Sequence, residues 1–189
     1  MMKRNYQRRY LRAPFKETVL YADGSFVLKA KCLNISENGL LISELPSFPE
    51  DDEVPLIIKL PHIPQLKNFS LLKLQNFNEE LYPPLIIRAK GRIARRGELS
   101  QDLENIFKMN FGLQFSKINL KEQRAIEEYV GIFSSNLIHL QTMIDSFNAD
   151  EDIQEKTRVL ASILGYNQHE KIAKLRLQVS EDYKNLQWL

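Results

Sequence analysis

Cysteine is nearly absent: Cys32 stands alone in 189 residues, which excludes an internal disulfide and points to a reducing compartment. Long apolar runs are missing as well. No stretch approaches the ~18 consecutive apolar residues that cross a bilayer, so no membrane span is expected. The start, MMKRNYQRRYLR, is basic but leads into no apolar segment, so it does not read as a secretory signal, and a cytoplasmic protein is expected. Neither common glycine-rich phosphate loop, G-x-x-x-x-G-K-[ST] or G-x-G-x-x-G, occurs. His62, His139 and His169 lack metal-ligand companions at usable spacing, so no metal and no cofactor are expected. The acid pairs Asp51-Asp52 and Glu79-Glu80 fall in loop-like stretches with no nucleophile nearby and read as solubilising charge. Nothing in the pattern supports catalysis, and the chain is not expected to be an enzyme.

What is present is ordinary in amount and uneven in place. Hydrophobic residues make up 43% and charged residues 26%, as in a soluble globular protein. The net charge is only +2, yet the first sixteen residues hold six Lys/Arg and no acid. Within them lies RRYLRAPF, with Arg8 and Arg12 four apart just before Pro14. The planar arginine fork grips phosphate or a guanine edge with two parallel hydrogen bonds. Two such groups four apart can converge on one small ligand if the chain between them is helical or tightly turned. Pro14 pins the backbone beyond Arg12, giving an arm with a fixed root.

From about Phe15 to Phe115 the chain reads as short strands divided by turn residues. ETVLYADGSFVLKAKCLNI predicts two strands joined at Asp23-Gly24, a pair suited to a tight hairpin. GLLISEL, VPLIIKL, PLIIRAKGRIARR and KMNFGLQFSKI continue the series, which suggests a small antiparallel barrel or sandwich. The segment Pro61–Pro84 predicts a long loop with a short strand at Phe69–Leu74. Cys32, in a strand pattern, reads as a small buried hydrophobe, and Arg95-Arg96 as a solvated strand end.

After Ser116 the pattern turns helical. Asn119 and Glu122 have the spacing of a capping box. Ile126, Val130, Phe133, Leu137, Leu140, Ile144 and Phe147 then follow at steps of 4, 3, 4, 3, 4 and 3, a heptad stripe. His139 on this helix reads as a surface or interface residue. A second helix is predicted over Glu151–Leu164, stopped by Gly165, and a third over about Gln168–Leu186 with Ile172, Leu175, Val179 and Tyr183 on one face. The second helix is too short to cover the whole stripe, so a homo-oligomer held through the first helix is expected.

A second motif, Asn34-Ile35-Ser36-Glu37-Asn38-Gly39, sits between two strand-like runs. Asn and Ser offer short polar groups for a base edge or phosphate, and Gly39 permits a turn or a close approach. Alone it reads as a turn. Together with Arg8-Arg9-Tyr10-Leu11-Arg12, and with 21 residues between Arg12 and Asn34, it resembles the PilZ domain family. That family carries R-x-x-x-R in an N-terminal arm and [D/N]-x-S-x-x-G on its barrel. Arg4-x-x-x-Arg8 also fits the arginine spacing, but Ala13-Pro14-Phe15 after Arg12 looks like the family's entry into its first strand. GRIARR, and FGLQF leading into a helix at Asn119, look like the closing strands and terminal helix.

The resemblance covers about Gln7 to Val130. It implies an α+β protein: a six-stranded antiparallel β-barrel that binds the bacterial second messenger cyclic di-GMP without chemistry on it, here followed by about three helices. The chain then divides into a basic arm (1–16), a barrel (15–118) and a helical extension (119–189). The resemblance further implies that Arg8 and Arg12, with Arg9 between them, grip guanine edges and phosphates. Asn34 would pair with a guanine, Ser36 would bond phosphate or guanine, and Gly39 would keep the surface open. A receptor of this kind would pass its signal to a protein partner through the helical tail. A nucleotide-independent scaffold is the alternative reading. Nucleic-acid binding is disfavoured by the sparse interleaved aromatics.

Overall fold

The computed structural model of the protein describes residues 10–46, 49, 51–96, 110–146 and 150–186. Seven strands come first: β1 (Ala13–Pro14), β2 (Thr18–Asp23), β3 (Phe26–Ser36), β4 (Gly39–Ser43), β5 (Glu53–Leu60), β6 (Leu85–Arg96) and β7 (Phe111–Ile118). Their order is β1-β3-β2-β5-β6-β7-β4, and β3 also pairs with β4. Six antiparallel strands therefore close into a barrel, and β1 is an extra strand. Closure leaves few free edges for foreign chains to pair with. The expected hairpin at Asp23-Gly24 forms, with Asp23 opposite Phe26 and Gly24 at φ +55°, a region that favours glycine. Alternation drives the packing. In β5, Val54, Leu56, Ile58 and Leu60 turn inward and are buried, while Pro55, Ile57 and Lys59 face out.

The connection from Leu60 to Leu85 departs from expectation. Leu71–Gln75 is a short helix, α1, rather than part of a strand; Ser70 caps it by accepting from the Lys73 amide. Two 3-10 turns, Leu66–Asn68 and Glu79–Leu81, flank it. Fully buried Asn136 holds this segment, accepting from the Leu66 amide (2.9 Å) and donating to the Pro64 carbonyl (2.9 Å). Leu66 and Leu74 fill the space beneath. Tertiary contacts thus decide a segment whose local pattern is ambiguous.

Three further helices follow, α2 (Leu120–Asp145), α3 (Glu151–Ile163) and α4 (Ile172–Leu186). Asn119 caps α2 by accepting from the Lys121 amide. The capping box closes only on one side, because the Glu122 carboxylate accepts from the backbone amide of Arg88 on β6 (3.1 Å). Gly165 (φ +82°) ends α3 in a Schellman turn: the Gly165 amide donates to the Ser162 carbonyl and the Tyr166 amide to that of Ala161, both at 2.9 Å.

The stripe on α2 is closed within the chain. Ile126, Val130, Phe133, Leu137, Leu140 and Ile144 are buried against α3, α4 and the barrel, and belong to one hydrophobic core with Phe15, Ile35 and Val19. Phe147 lies outside the described residues. The open stripe that motivated a homo-oligomer is therefore absent over Ile126–Ile144. The α3–α4 pair covers it because α4 supplies the length that α3 lacks, with Leu175 and Val179 fully buried. His139 is half-buried. Its Nε2 is buried with no hydrogen-bond partner among the described residues, and burial first, then Lys156 and Lys67, lower its pKa.

Two outcomes follow from this packing. Leu137→Ala should cost about 2–5 kcal/mol of stability in urea denaturation, with no change in particle mass by light scattering. His139 should make the fold acid-sensitive. Its folded-state pKa is lowered, so as pH falls through about 6.5 the unfolded chain takes up the proton more readily and stability drops. The loss levels off below the folded-state value. Urea midpoints at pH 7.5 and 5.5 should differ less in His139→Leu than in the unmutated protein.

Candidate functional site

Arm and barrel meet through two residue pairs. Ala13 lies opposite Ile35 and Pro14 opposite Asn34, so β1 continues along the edge of β3 that β2 occupies further on. Between them the Phe15 amide donates to the Leu33 carbonyl (3.1 Å) and the Cys32 amide to that of Glu17 (3.0 Å). Continued by one step beyond β1, the register would bring Arg12 opposite Ser36. Ala13 and Phe15 point into the core and are almost fully buried.

On the other edge of β3 the pairing with β4 shifts between Cys32 and Asn34, a bulge with Leu33 as the extra residue. The extra residue reverses the strand's alternation. Ala30 and Cys32 turn inward before it and Ile35 after it, so Asn34 and Ser36 share the outer face. Half-buried Asn34 has no side-chain hydrogen-bond partner among the described residues, which leaves its amide available. The buried Ser36 hydroxyl donates to the Gly39 carbonyl (3.1 Å), closing the motif's tight turn. Cys32 is fully buried as expected; burial pushes its thiol up to about 12, and Sγ lies 3.3 Å from the Asn34 carbonyl.

Gly39 has a packing reason of its own. A Cβ there would sit 2.0 Å from the Leu113 carbonyl oxygen on β7, an impossible approach against backbone. Two rows then run across the barrel. Asn34 lies opposite Leu41, Leu41 opposite Gly112 and Gly112 opposite Arg95; Ser36 lies opposite Gly39, Gly39 opposite Gln114 and Gln114 opposite Arg92. Gln114 and Arg92 are exposed polar residues that the motif search did not single out. Only the strand register reveals them. Arg95, read as a solvated strand end, takes a register position in the Asn34 row. Half-buried Arg12 joins this face; Arg8 and Arg9 lie outside the described residues.

Above Arg12, Tyr10 and Leu11 line a groove of about 670 Å³ with Glu37, Arg124 and Glu127. Below it, the root of the arm is fastened to the helices. Phe15 packs edge-on against Tyr129 of α2, with ring centroids 5.7 Å apart. Lys16 Nζ lies 3.5 Å from the Gly165 carbonyl and 4.9 Å from the centre of the Tyr166 ring. The Tyr166 hydroxyl donates to Asp182 on α4 (2.6 Å). Burial raises both the phenol and the carboxyl, so the phenol keeps its proton and remains the donor. No group of three or more His, Cys, Asp and Glu residues among the described residues could hold a metal ion.

No curated protein matches the chain in sequence. Among solved structures it is similar to the Bacillus subtilis inhibitor of motility MotI/DgrA, with 21% identity over 68% of this chain and a TM-score of 0.46. The chain spans about half of that protein, 52%. The PilZ domain of YcgR from Escherichia coli, solved with c-di-GMP, is 13% identical over 74% of this chain and 98% of its own, with a TM-score of 0.40. The PilZ domain of CeSA from a cellulose-synthesizing bacterium is 16% identical over 64% and 94% of the two chains, with a TM-score of 0.36. The family model described as PilZ domain matches residues 3–131, which takes in both motifs and all seven strands, and the chain belongs to the PilZ domain family.

Proposed function

We propose that the protein is a cyclic di-GMP receptor and adaptor, with the nucleotide held between the arm and the outer face of the barrel. The observation that carries this reading is the β1–β3 register, Ala13 opposite Ile35 and Pro14 opposite Asn34, by whose continuation Arg12 would fall opposite Ser36, two residue pairs from Asn34. The ligand has two phosphates and two guanines. Arg8 and Arg12, assisted by Arg9, would answer both with bidentate hydrogen bonds. Asn34 would meet a guanine edge, and Ser36 would meet phosphate or guanine by turning its hydroxyl from Gly39. Gly39 serves by holding β4 tight against β7, so the floor of the site stays flat. The residues act by binding alone; no step of bond-making is assigned to them.

Nucleotide orders the arm in this reading, because like charges on a short basic segment repel until an anion arrives. The output passes through the root. Lys16 and Phe15 connect β1 to the α3–α4 corner and to α2, so a fixed arm bears on the helical layer that would meet the protein partner. A second copy of the chain, as a homo-oligomer, would have to use outward groups of that layer such as Ile138 and Leu177, 43% and 71% exposed.

Calorimetry with cyclic di-GMP tests the site. Arg8→Ala or Arg12→Ala should weaken binding at least tenfold, since a hydrogen bond to a charged group contributes about 1.5–3 kcal/mol, while Arg4→Ala should change it little. Equal losses from Arg4→Ala and Arg12→Ala would move the arginine register. No binding heat from the unmutated protein would leave the scaffold reading in its place. Hydrogen exchange tests the relay. Nucleotide should protect the amides of Tyr10–Ala13 and also those of α4, and Lys16→Ala should keep the first effect and lose the second.

A further inference from the structure

A cavity of about 410 Å³ lies between the barrel, the 61–84 connection and the helices, a size usual for small-molecule sites. Aromatic rings line it from two sides. Phe15, Tyr129, Phe133 and Tyr166 come from the arm's root and the helical layer, and all four are buried. Phe77, Tyr82 and His62 come from the connection. Contacts between rings hold both walls. Phe77 stacks on Tyr82 with centroids 5.3 Å apart, and His62 meets Tyr82 edge-on at 5.5 Å. Across the cavity Tyr129 lies 6.0 Å from Phe133.

Charge on this lining is unequal. Glu17, Glu79, Glu80 and Asp182 bring four carboxyl groups, against the ammonium groups of Lys16 and Lys59. One of each is engaged with the wall itself. Lys16 Nζ lies 4.9 Å from the centre of the Tyr166 ring and 3.5 Å from the Gly165 carbonyl, and Asp182 accepts from the Tyr166 hydroxyl. The carboxylates of Glu17, Glu79 and Glu80 have no hydrogen bond or ion pair among the described residues, and neither has the Lys59 ammonium. A buried polar group is unanswered as well. Tyr129 is 7% exposed, and its hydroxyl has no hydrogen-bond partner among the described residues. Burial first, then the negative charge of Glu17, raises its pKa, so the phenol keeps its proton.

We propose that this cavity binds a small organic cation with an apolar body, such as a primary amine on an aromatic or branched aliphatic group. The face of an aromatic ring attracts a cation, and Lys16 over Tyr166 is an ammonium already held by this wall in that way. The partnerless carboxylates outnumber the partnerless ammonium three to one, Glu17, Glu79 and Glu80 against Lys59. The apolar body would lie against Phe77, Tyr82 and Phe133. The charged head would face Glu17 and the Tyr129 oxygen, which can accept its N–H groups. A small anion would be repelled by the carboxylates. A neutral apolar ligand would leave Glu17 and Tyr129 without a partner. None of Arg8, Arg12, Asn34 and Ser36 is used, so the proposal goes beyond the nucleotide reading and stands without it.

NMR titration of the isotope-labelled full chain, without nucleotide, tests the proposal with three probes of one shape: phenethylamine, 2-phenylethanol and 3-phenylpropionate. The amine should shift the amides of Glu17, Tyr82 and Tyr129. It should bind about tenfold tighter than the alcohol, the scale of a hydrogen bond to a charged group. The carboxylate should cause no shifts there. Glu17→Gln should weaken the amine by about the same factor and leave the alcohol unchanged. Lys59→Ala, an exposed change, should tighten the amine by removing a like charge; a cavity built for anions would respond in the opposite sense. Tyr82→Ala should weaken amine and alcohol together. Thermal unfolding of each variant checks that the fold is kept, and Lys59→Ala decides the sign of the ligand even if Tyr82→Ala unfolds. Equal binding of the three probes would reduce the cavity to an apolar crevice and overturn the proposal. So would weaker amine binding in Lys59→Ala, or no shifts at these amides with millimolar amine.

Discussion

Two residue pairs, Ala13 with Ile35 and Pro14 with Asn34, hold the design together. Without them the basic arm has no fixed relation to the barrel. With them, Arg12 directly precedes a strand fixed to the barrel, and Asn34 is flanked by β1 on one edge and β4 on the other. The pairing survives at such short length because its inward side chains are anchored. Ala13, Phe15 and Ile35 are almost fully buried, and Cys32 packs beneath the bulge. Proline at position 14 adds rigidity at little cost, since a short outer strand can spare a backbone donor. The bulge at Leu33 completes the arrangement by turning Asn34 and Ser36 outward.

The same root ties the barrel to the helices. Phe15 against Tyr129, and Lys16 at the Gly165 turn, make β1 the common floor of the site and of the helical layer. Barrel and helices share one hydrophobic core, so the helical extension is part of the fold rather than an appendage on a finished barrel. A ligand held by the arm would need no long path to the helices, because β1 touches both the barrel and the helical layer.

Strand positions and the two motifs were legible because alternation, turn residues and caps are local signals. Val54 to Leu60, the Asp23-Gly24 turn and the Gly165 stop could be read without tertiary knowledge. The 61–84 connection could not, because Asn136, seventy residues downstream of Leu66, holds it in place. Glu122 looked like a capping partner for Asn119 and serves Arg88 instead; sequence spacing has no access to that competition. The heptad stripe was legible as the face of a helix, but its cover was not, because most of it comes from α4, which the spacing along α2 cannot reveal. Within the site, Gln114 and Arg92 carry no motif and come into view only through register. Gly39 illustrates the opposite case. Its identity was readable, while the reason for it, the Leu113 carbonyl 2.0 Å from any Cβ, lies on another strand.

A net charge of +2 describes none of the surfaces that matter here. Cations are unevenly placed: six of the first sixteen residues are Lys or Arg with no acid among them, and a planar arginine fork can grip a compact anion from two sides. Acids such as Asp51, Asp52, Glu79 and Glu80 stand exposed in connections, and Glu79 and Glu80 line a cavity together with Lys16 and Lys59. Screening makes the separation effective. At physiological salt a charge is felt over about 8 Å, so carboxylates further off than that act little on the arm. A chain close to neutral overall therefore keeps a locally basic segment, and attraction for an anion depends there on local arrangement rather than on net charge.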